Sequence, residues 1–552
     1  MPAGTHNVGY HAEEFTPEQR AVLARYFTNL DGPVFAIVNL PEVVKGALLA
    51  RYSRSPKSVR RLFLDEFATG QDEGLQAIAD QITATDPDVG VSRAEELYRR
   101  VFSDYGDDSV AQLGGAHLAC EQASNILTKV LERGRLAAYL EQSTRYIFYD
   151  QRIGDRYRYM APPEVAASRH AAAYAETMEW LFTTYSELVE RMVPYYETRF
   201  PRQPSDTAFI WRSTIRAKAC DDLRGLLPAS TLSSVGIFAS GQAYEMLLLR
   251  MRAHPSAEVR QYADLMLTEL RKVIPSFLTR VDEPARGGVW SDYLANVATD
   301  LARLANSLGE APAPRPEVTL VDWDPDGELE VAAAVLYPYS DLPDDQLLDA
   351  VRRMPESERA ALIGAAVGER SNRRHKPGRG LERTSYRFDI LCDYGVFRDL
   401  QRHRPLTIDW QLLGPRHGYV TPESITDIGA EAVWDEAMAR TADLHATLAD
   451  SLGADIAQYV VPFAYRIRFF FQLNAREAFH LLELRSGQGG HPDYRRVAQE
   501  MHRLIGEQAG HRIISGAMRF VDYAGYDLAR LESERRAAAR RAGLGLADPE
   551  SP

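Results

Sequence analysis

The sequence predicts a mixed helix-and-strand protein, rich in helix, built from two tandem copies of one unit. Three observations predict it. An ordered pair of motif blocks occurs twice, a Pro/Ala-rich stretch separates the two occurrences, and much of the flanking sequence carries apolar residues at helical spacing. The first block is Arg133-Gly134-Arg135 in one half and Arg402-His403-Arg404 in the other. The second runs from Arg224 through Leu227-Pro228 and Ser240-Gly241-Gln242 to Arg250, and again from Gln458 through Val461-Pro462 and Asn474-Ala475-Arg476 to Arg485. Proline to final arginine is 22 positions in the first half and 23 in the second, so order and spacing both repeat.

The boundary lies at 306–316, where alternating Ala and Pro cannot continue a helix. It divides a first copy (1–305) from a second (317–530), followed by a charged tail (531–552) whose Arg, Ala and Glu predict a solvated helix ending in disorder. Before the boundary, 257–278 and 293–308 have helical spacing, and after it residues 317–322 alternate like a strand. Residues 116–140 are expected to be helical, and 166–198 a long helix after Pro162-Pro163. In the second half, 385–401 reads as strand then helix and 432–452 as helix. A further helix is expected from Ala475 to Leu484, with Asn474 as its cap.

Composition bounds the function. At 552 residues, with 45% hydrophobic and 26% charged, the chain is an ordinary globular mixture of two or three domains. A formal charge of −13 argues against non-specific binding to nucleic acid or to an anionic membrane, so phosphate chemistry must come from local arginine clusters. The three cysteines form no CxxC pair and no even framework, which points to a reducing, cytoplasmic compartment. No apolar run approaches membrane-spanning length, and the N-terminus lacks a signal pattern.

The motif residues carry a resemblance to the flavin-dependent thymidylate synthases. Arg402-His403-Arg404 is similar to that family's Arg-His-Arg signature, and the first half supplies its continuation as Arg133, Arg135, Glu141, Ser143, Arg145 and Tyr146. Pro462, Arg468, Asn474-Ala475-Arg476 and Arg485 resemble the family's second block, as do Arg224, Leu227-Pro228 and Arg250, with His254 at the place of a later histidine.

The resemblance implies an α+β fold, with a sheet and long helices in each copy. It also implies methylation of deoxyuridine monophosphate, with methylenetetrahydrofolate as carbon donor, FAD as hydride carrier and NADPH as its reductant. Arg402, His403 and Arg404 would contact FAD, joined by Asn474 and Arg476 and, from an upstream block, His375 and Glu382. Glu141, Ser143 and Arg145 would stand beside the base, and Arg133, Arg135, Arg224, Arg250 and Arg485 would hold the nucleotide. Arginine suits this work because its planar fork matches phosphate and pyrimidine edges through paired hydrogen bonds.

Departures from the pattern are complementary. The first half has Gly134 for the histidine, and the upstream block has decayed to Gly106 through Leu113. The second half has Trp410 and Leu412 at the glutamate and serine positions, and Gln458 where the first has Arg224. A homodimer forming a pseudo-tetramer, with sites that mix residues of both halves, is the expected assembly. A flavin- or pyrimidine-nucleotide-binding homologue without methyl transfer, or a structural pseudoenzyme, are the alternatives. Taken alone, Arg133 and Arg135 read as charges at a helix end, Phe469–Phe471 as core, His375 as a surface histidine, and Cys220 and Cys392 as small buried apolar residues.

Overall fold

The computed structural model describes residues 9–40, 44–45, 48–49, 52, 54–68, 112, 114–204, 206–528, 531 and 535–536. The decayed upstream block at 106–113, Gln112 apart, and most of the charged tail lie outside these residues. In the first half the main elements are β1 (Val34–Ile37), β2 (Gly115–Ser124), α1 (Asn125–Leu131), β3 (Ala137–Glu141), α2 (Ala171–Arg199), α3 (Ala208–Leu223), β4 (Leu232–Ser240), α4 (Gly241–Arg252), α5 (Ala257–Leu270) and α6 (Val289–Asn306). In the second half they are β5 (Val318–Trp323), β6 (Ser385–Asp393), α7 (Tyr394–Leu400), β7 (Thr407–Trp410), α8 (Glu431–Leu452), β8 (Arg466–Asn474), α9 (Ala475–Arg485) and α10 (Pro492–Glu507). The fold is α+β, and both halves build the same antiparallel sheet. The strand order is β1-β2-β4-β3 in one and β5-β6-β8-β7 in the other.

The repeat is visible in how strands become helices. β2, β4, β6 and β8 end in Ser124, Ser240, Asp393 and Asn474. Each of these side chains accepts a hydrogen bond from the backbone N–H three residues on, at Leu127, Ala243, Val396 and Glu477. Each oxygen therefore satisfies one of the orphan donors of a new helix, which is why the chain turns there. Asn474 is the expected cap.

The expectation of helix over 116–140 is corrected: this stretch is β2, α1 and β3. Leu118 and Cys120 face the cluster holding Tyr244, Met251 and Met266, while Ala119 faces a second cluster around Phe35, Leu48 and Tyr52. Because both faces are buried, β2 shows no apolar–polar alternation, and its periodicity does not separate strand from helix. Phe469 and Phe471 are core, and Cys120, Cys220 and Cys392 are buried free thiols.

The chain divides into two compact units, each drawing on both halves. Unit 1 is Met1–Leu188, Leu226–Ala311 and Ala432–Pro462; unit 2 is Val189–Gly225, Pro312–Glu431 and Phe463–Pro552. Thus α3 and Arg224 belong to the unit with the second sheet, and α8 with the turn to Pro462 belongs to the unit with the first. In unit 1, the Ser230 N–H donates to the Tyr459 carbonyl at 2.9 Å, and Tyr459 Oη donates to the buried Glu258 carboxylate at 2.6 Å. In unit 2, the Ala464 N–H donates to the Gly225 carbonyl at 2.9 Å, and Ser424 Oγ donates to Asp222 Oδ2 at 2.9 Å.

Candidate functional site

The candidate residues fall into two sets. Unit 1 holds Arg133, Arg135, Glu141, Ser143, Arg145 and Arg250; unit 2 holds Arg224, His375, Glu382, Arg402, His403, Arg404, Asn474, Arg476 and Arg485.

In unit 1, Arg133 and Arg135 are exposed between α1 and β3. β3 ends on Glu141, which is buried with Oε2 3.2 Å from Lys129 Nζ; that ammonium also holds Glu132 Oε2 at 2.7 Å. Ser143 is half-buried and accepts a hydrogen bond from the Arg145 N–H at 3.3 Å, and the Arg145 side chain is buried. Arg250, in the last turn of α4, is half-buried and has no carboxylate partner among the described residues. Burial and the neighbouring Arg133 guanidinium both lower its pKa.

Gly134 lies against the tip of a tyrosine. Tyr139 Oη donates to the Gly134 carbonyl at 3.1 Å, and a Cβ built at residue 134 would stand 2.6 Å from that hydroxyl. A side chain at this position requires the Tyr139 hydroxyl to give way.

Unit 2 centres on Asp399, a buried acid near the end of α7 that sequence reasoning missed. Its Oδ2 accepts from Arg224 Nη1 at 3.1 Å and its Oδ1 from Arg402 Nη2 at 2.7 Å. Arg224 is buried, and its Nη2 has no hydrogen-bond partner among the described residues. Arg485, at the end of α9, occupies the place that Arg250 holds in unit 1. It too is half-buried and has no carboxylate ion pair among the described residues. Burial depresses its pKa, nearby Asp399 and Tyr494 act against this, and nearby Arg402 adds to the depression; the Tyr494 ring lies 5.4 Å away.

His403 is turned inward. It is buried, its Nδ1 lies 3.2 Å from Glu477 Oε1, and its Nε2 accepts from Arg485 Nε at 2.8 Å. Burial, and then the Arg485 charge, push its pKa down to about 4, so the ring is neutral. His480 Nδ1 stands 3.3 Å from both Glu477 oxygens. Arg404 is exposed.

Arg476 and Glu382 are brought together: Nη1 donates to Oε1 at 3.0 Å, and Nε donates to the Pro377 carbonyl at 2.9 Å. His375 is exposed on a loop, where its backbone carbonyl accepts from Arg370, itself paired with buried Glu483. At the glutamate and serine positions of this copy, Trp410 packs against Phe397 with ring centres 5.4 Å apart, and Leu412 is exposed. The sequence signal for Asp399, Glu477 and His480 is local: Asp399 stands one turn before Arg402, and the other two stand one turn apart on α9.

This arrangement fits anions. Among the described residues, each unit carries a half-buried guanidinium with no carboxylate ion pair, beside the first arginine of its Arg-x-Arg segment. Unit 2 adds the orphaned Nη2 of Arg224. Desolvated cations placed in this way are what phosphate groups require.

A family model described as thymidylate synthase complementing protein, Thy1, matches residues 53–276 and 319–509. The chain belongs to the Thy1 family. One matched segment falls within each of the two copies read from the motifs. Among Thy1 relatives, the UPF0159 protein of Chlamydia muridarum is 41% identical over 530 residues, covering 95% of this chain and 99% of that protein. A UPF0159 protein of Thermoplasma acidophilum is 31% identical over 91% of this chain and 99% of its own length. The flavin-dependent thymidylate synthase of Clostridium tetani is 27% identical over 182 residues, covering 32% of this chain and 67% of that enzyme. No described helix is long and apolar enough to cross a membrane.

Proposed function

We propose that the chain is a flavin-dependent thymidylate synthase that methylates deoxyuridine monophosphate, using methylenetetrahydrofolate, FAD and NADPH. The observation that carries this reading is the recurrence, at Arg250 and Arg485, of a half-buried guanidinium with no carboxylate ion pair among the described residues, each beside the Arg-x-Arg arginine of its own unit. Bound flavin would supply the hydride. The chain's part is to bind, orient and hold charge. Arg402, Arg404, Asn474 and Arg476 are assigned to flavin, with Glu382 fixing Arg476 and His375 at the rim. Arg224, Arg250 and Arg485, with Arg133 and Arg135, are assigned to the nucleotide. Glu141, Ser143 and Arg145 are assigned to the base, where positive charge near the pyrimidine carbonyls favours the electron-rich ring. Two chains would assemble as a pseudo-tetramer.

A second reading, a flavin and nucleotide binder without methyl transfer, is favoured by the buried Glu141–Lys129 pair and by Trp410 at the matching place in unit 2. Tritium release from 5-labelled deoxyuridine monophosphate, dependent on methylenetetrahydrofolate, separates the two readings; its absence from a flavin-loaded protein leaves only binding. Full flavin loading of Arg402→Ala, read by absorbance, would overturn the flavin assignment.

A further inference from the structure

Among the described residues, His403, Glu477 and His480 form a set of potential metal ligands whose donor atoms lie within 4.8 Å of one another. The tautomer decides against a metal. Arg485 Nε–H donates to His403 Nε2, so that nitrogen must carry the lone pair, and the ring proton sits on Nδ1 facing Glu477. Metal bound at Nδ1 would force the proton onto Nε2, where it would meet the Arg485 N–H, donor against donor.

The same bonds, read in order, describe a different device. Glu477, held at the start of α9, accepts from the Nδ1 side of His403, and His403 in turn accepts from Arg485. We infer that Glu477–His403–Arg485 is a positioning relay, in which the Arg-His-Arg histidine faces inward and aims the Arg485 guanidinium at the nucleotide, leaving flavin to its neighbours. Three features carry it. His403 and Glu477 are each more than nine-tenths buried, so their geometry is fixed by packing. Both ring nitrogens are engaged within the protein. A neutral acceptor is also what this arginine needs: an acid at residue 403 would neutralise the charge offered to the nucleotide, whereas imidazole Nε2 orients the guanidinium and leaves its charge intact. Asp399, already shared by Arg224 and Arg402, supplies the nearby counter-charge without bonding Arg485. His480, on the outer side of Glu477, gives that carboxylate a second donor and holds it in place.

The relay rests on the nucleotide reading given above, and its test separates the two. The first measurement needs no ligand: 15N shifts of the His403 imidazole and hydrogen exchange of the Arg485 Nε–H in the full chain. The expected result is an Nδ1–H tautomer and a protected Nε–H. An Nε2–H tautomer, or an unprotected Arg485, overturns the relay whatever the protein binds. The second measurement uses two polar variants. His403→Gln reaches the Nε2 position and can still accept from Arg485, whereas His403→Asn keeps a donor toward Glu477 but falls short of Arg485. Expected affinities for deoxyuridine monophosphate are within about 3-fold of wild type for Gln and weaker by about 10- to 100-fold for Asn, with flavin loading unchanged in both. Loss of flavin in both variants with nucleotide affinity intact overturns the relay and returns His403 to flavin contact. A wild-type protein that shows the tautomer and the protected Nε–H but binds no nucleotide upholds the relay and overturns the nucleotide reading alone.

Discussion

Arg224 Nη1 lies 3.1 Å from Asp399 Oδ2, although the two residues belong to different copies of the repeat and are 175 positions apart. The matching positions in the other unit are Gln458, four before Pro462 as Arg224 is four before Pro228, and Val130, three before Arg133 as Asp399 is three before Arg402. The arginine and the acid occur in one unit, the glutamine and the valine in the other. Both charges are present in one unit and both are absent from the other, as a buried ion pair demands, since either partner alone would leave an uncompensated charge.

Asp399→Ala is therefore expected to destabilise the protein by about 3 kcal/mol, because Arg224 and Arg402 lose their shared acceptor. The double variant Arg224→Gln/Asp399→Val, which copies the other unit, is expected to recover to within about 1 kcal/mol of wild type while losing nucleotide affinity. Denaturant titration with a binding assay reads both.

Acid sensitivity should follow His403. Its folded pKa of about 4 lies below the ordinary 6.5, so the unfolded chain takes up the proton first as pH falls. The stability that the neutral ring contributes is complete above about pH 6.5 and is lost as pH falls toward 4, by an amount on the order of 3 kcal/mol. His254, also lowered to about 4 by burial and then Arg260, adds in the same direction. Unfolding free energy measured from pH 7 to pH 4.5 should fall less steeply in His403→Gln than in wild type.

Asp393 shows the opposite sign. Burial, followed by the Asp493 carboxylate, pushes it up to about 7, with Arg224 acting against both. The folded state keeps a proton that the unfolded chain gives up above its ordinary 3.8. The stability this contributes is present at low pH and is lost as pH rises from about 3.8 through about 7. Asp493→Asn removes the neighbouring charge and should gain about 1 kcal/mol over wild type at pH 8, with a smaller gain at pH 5.

Restoring the missing histidine should fail alone. Gly134→His is expected to cost about 1 kcal/mol, because its Cβ displaces the Tyr139 hydroxyl and its hydrogen bond to the residue 134 carbonyl. Gly134→His/Tyr139→Ala should regain part of that loss. Thermal unfolding of wild type and the two variants tests the clash directly.

Particular elements show where sequence reading succeeded. Asn474 was legible as a cap because a short polar side chain before an amphipathic run has one local use, and that use does not depend on the rest of the fold. Strand β5 was legible because its residues alternate. Strand β2 was not, because burial on both faces erased the alternation. Asp399 and Glu477 were passed over because an acid one turn from a basic residue reads as an ordinary helix-surface pair until burial shows that water is absent.

The sequence by itself determined that this chain is a duplicated Thy1 protein, since order and spacing of arginines, prolines and caps survive divergence. Only the tertiary structure decided that residues 189–225 and 432–462 each complete the unit of the other copy, and that His403 faces Arg485. Motifs record which groups the chemistry needs. Which groups meet depends on long-range packing, and on which ring nitrogen holds a proton, neither of which is written in local spacing.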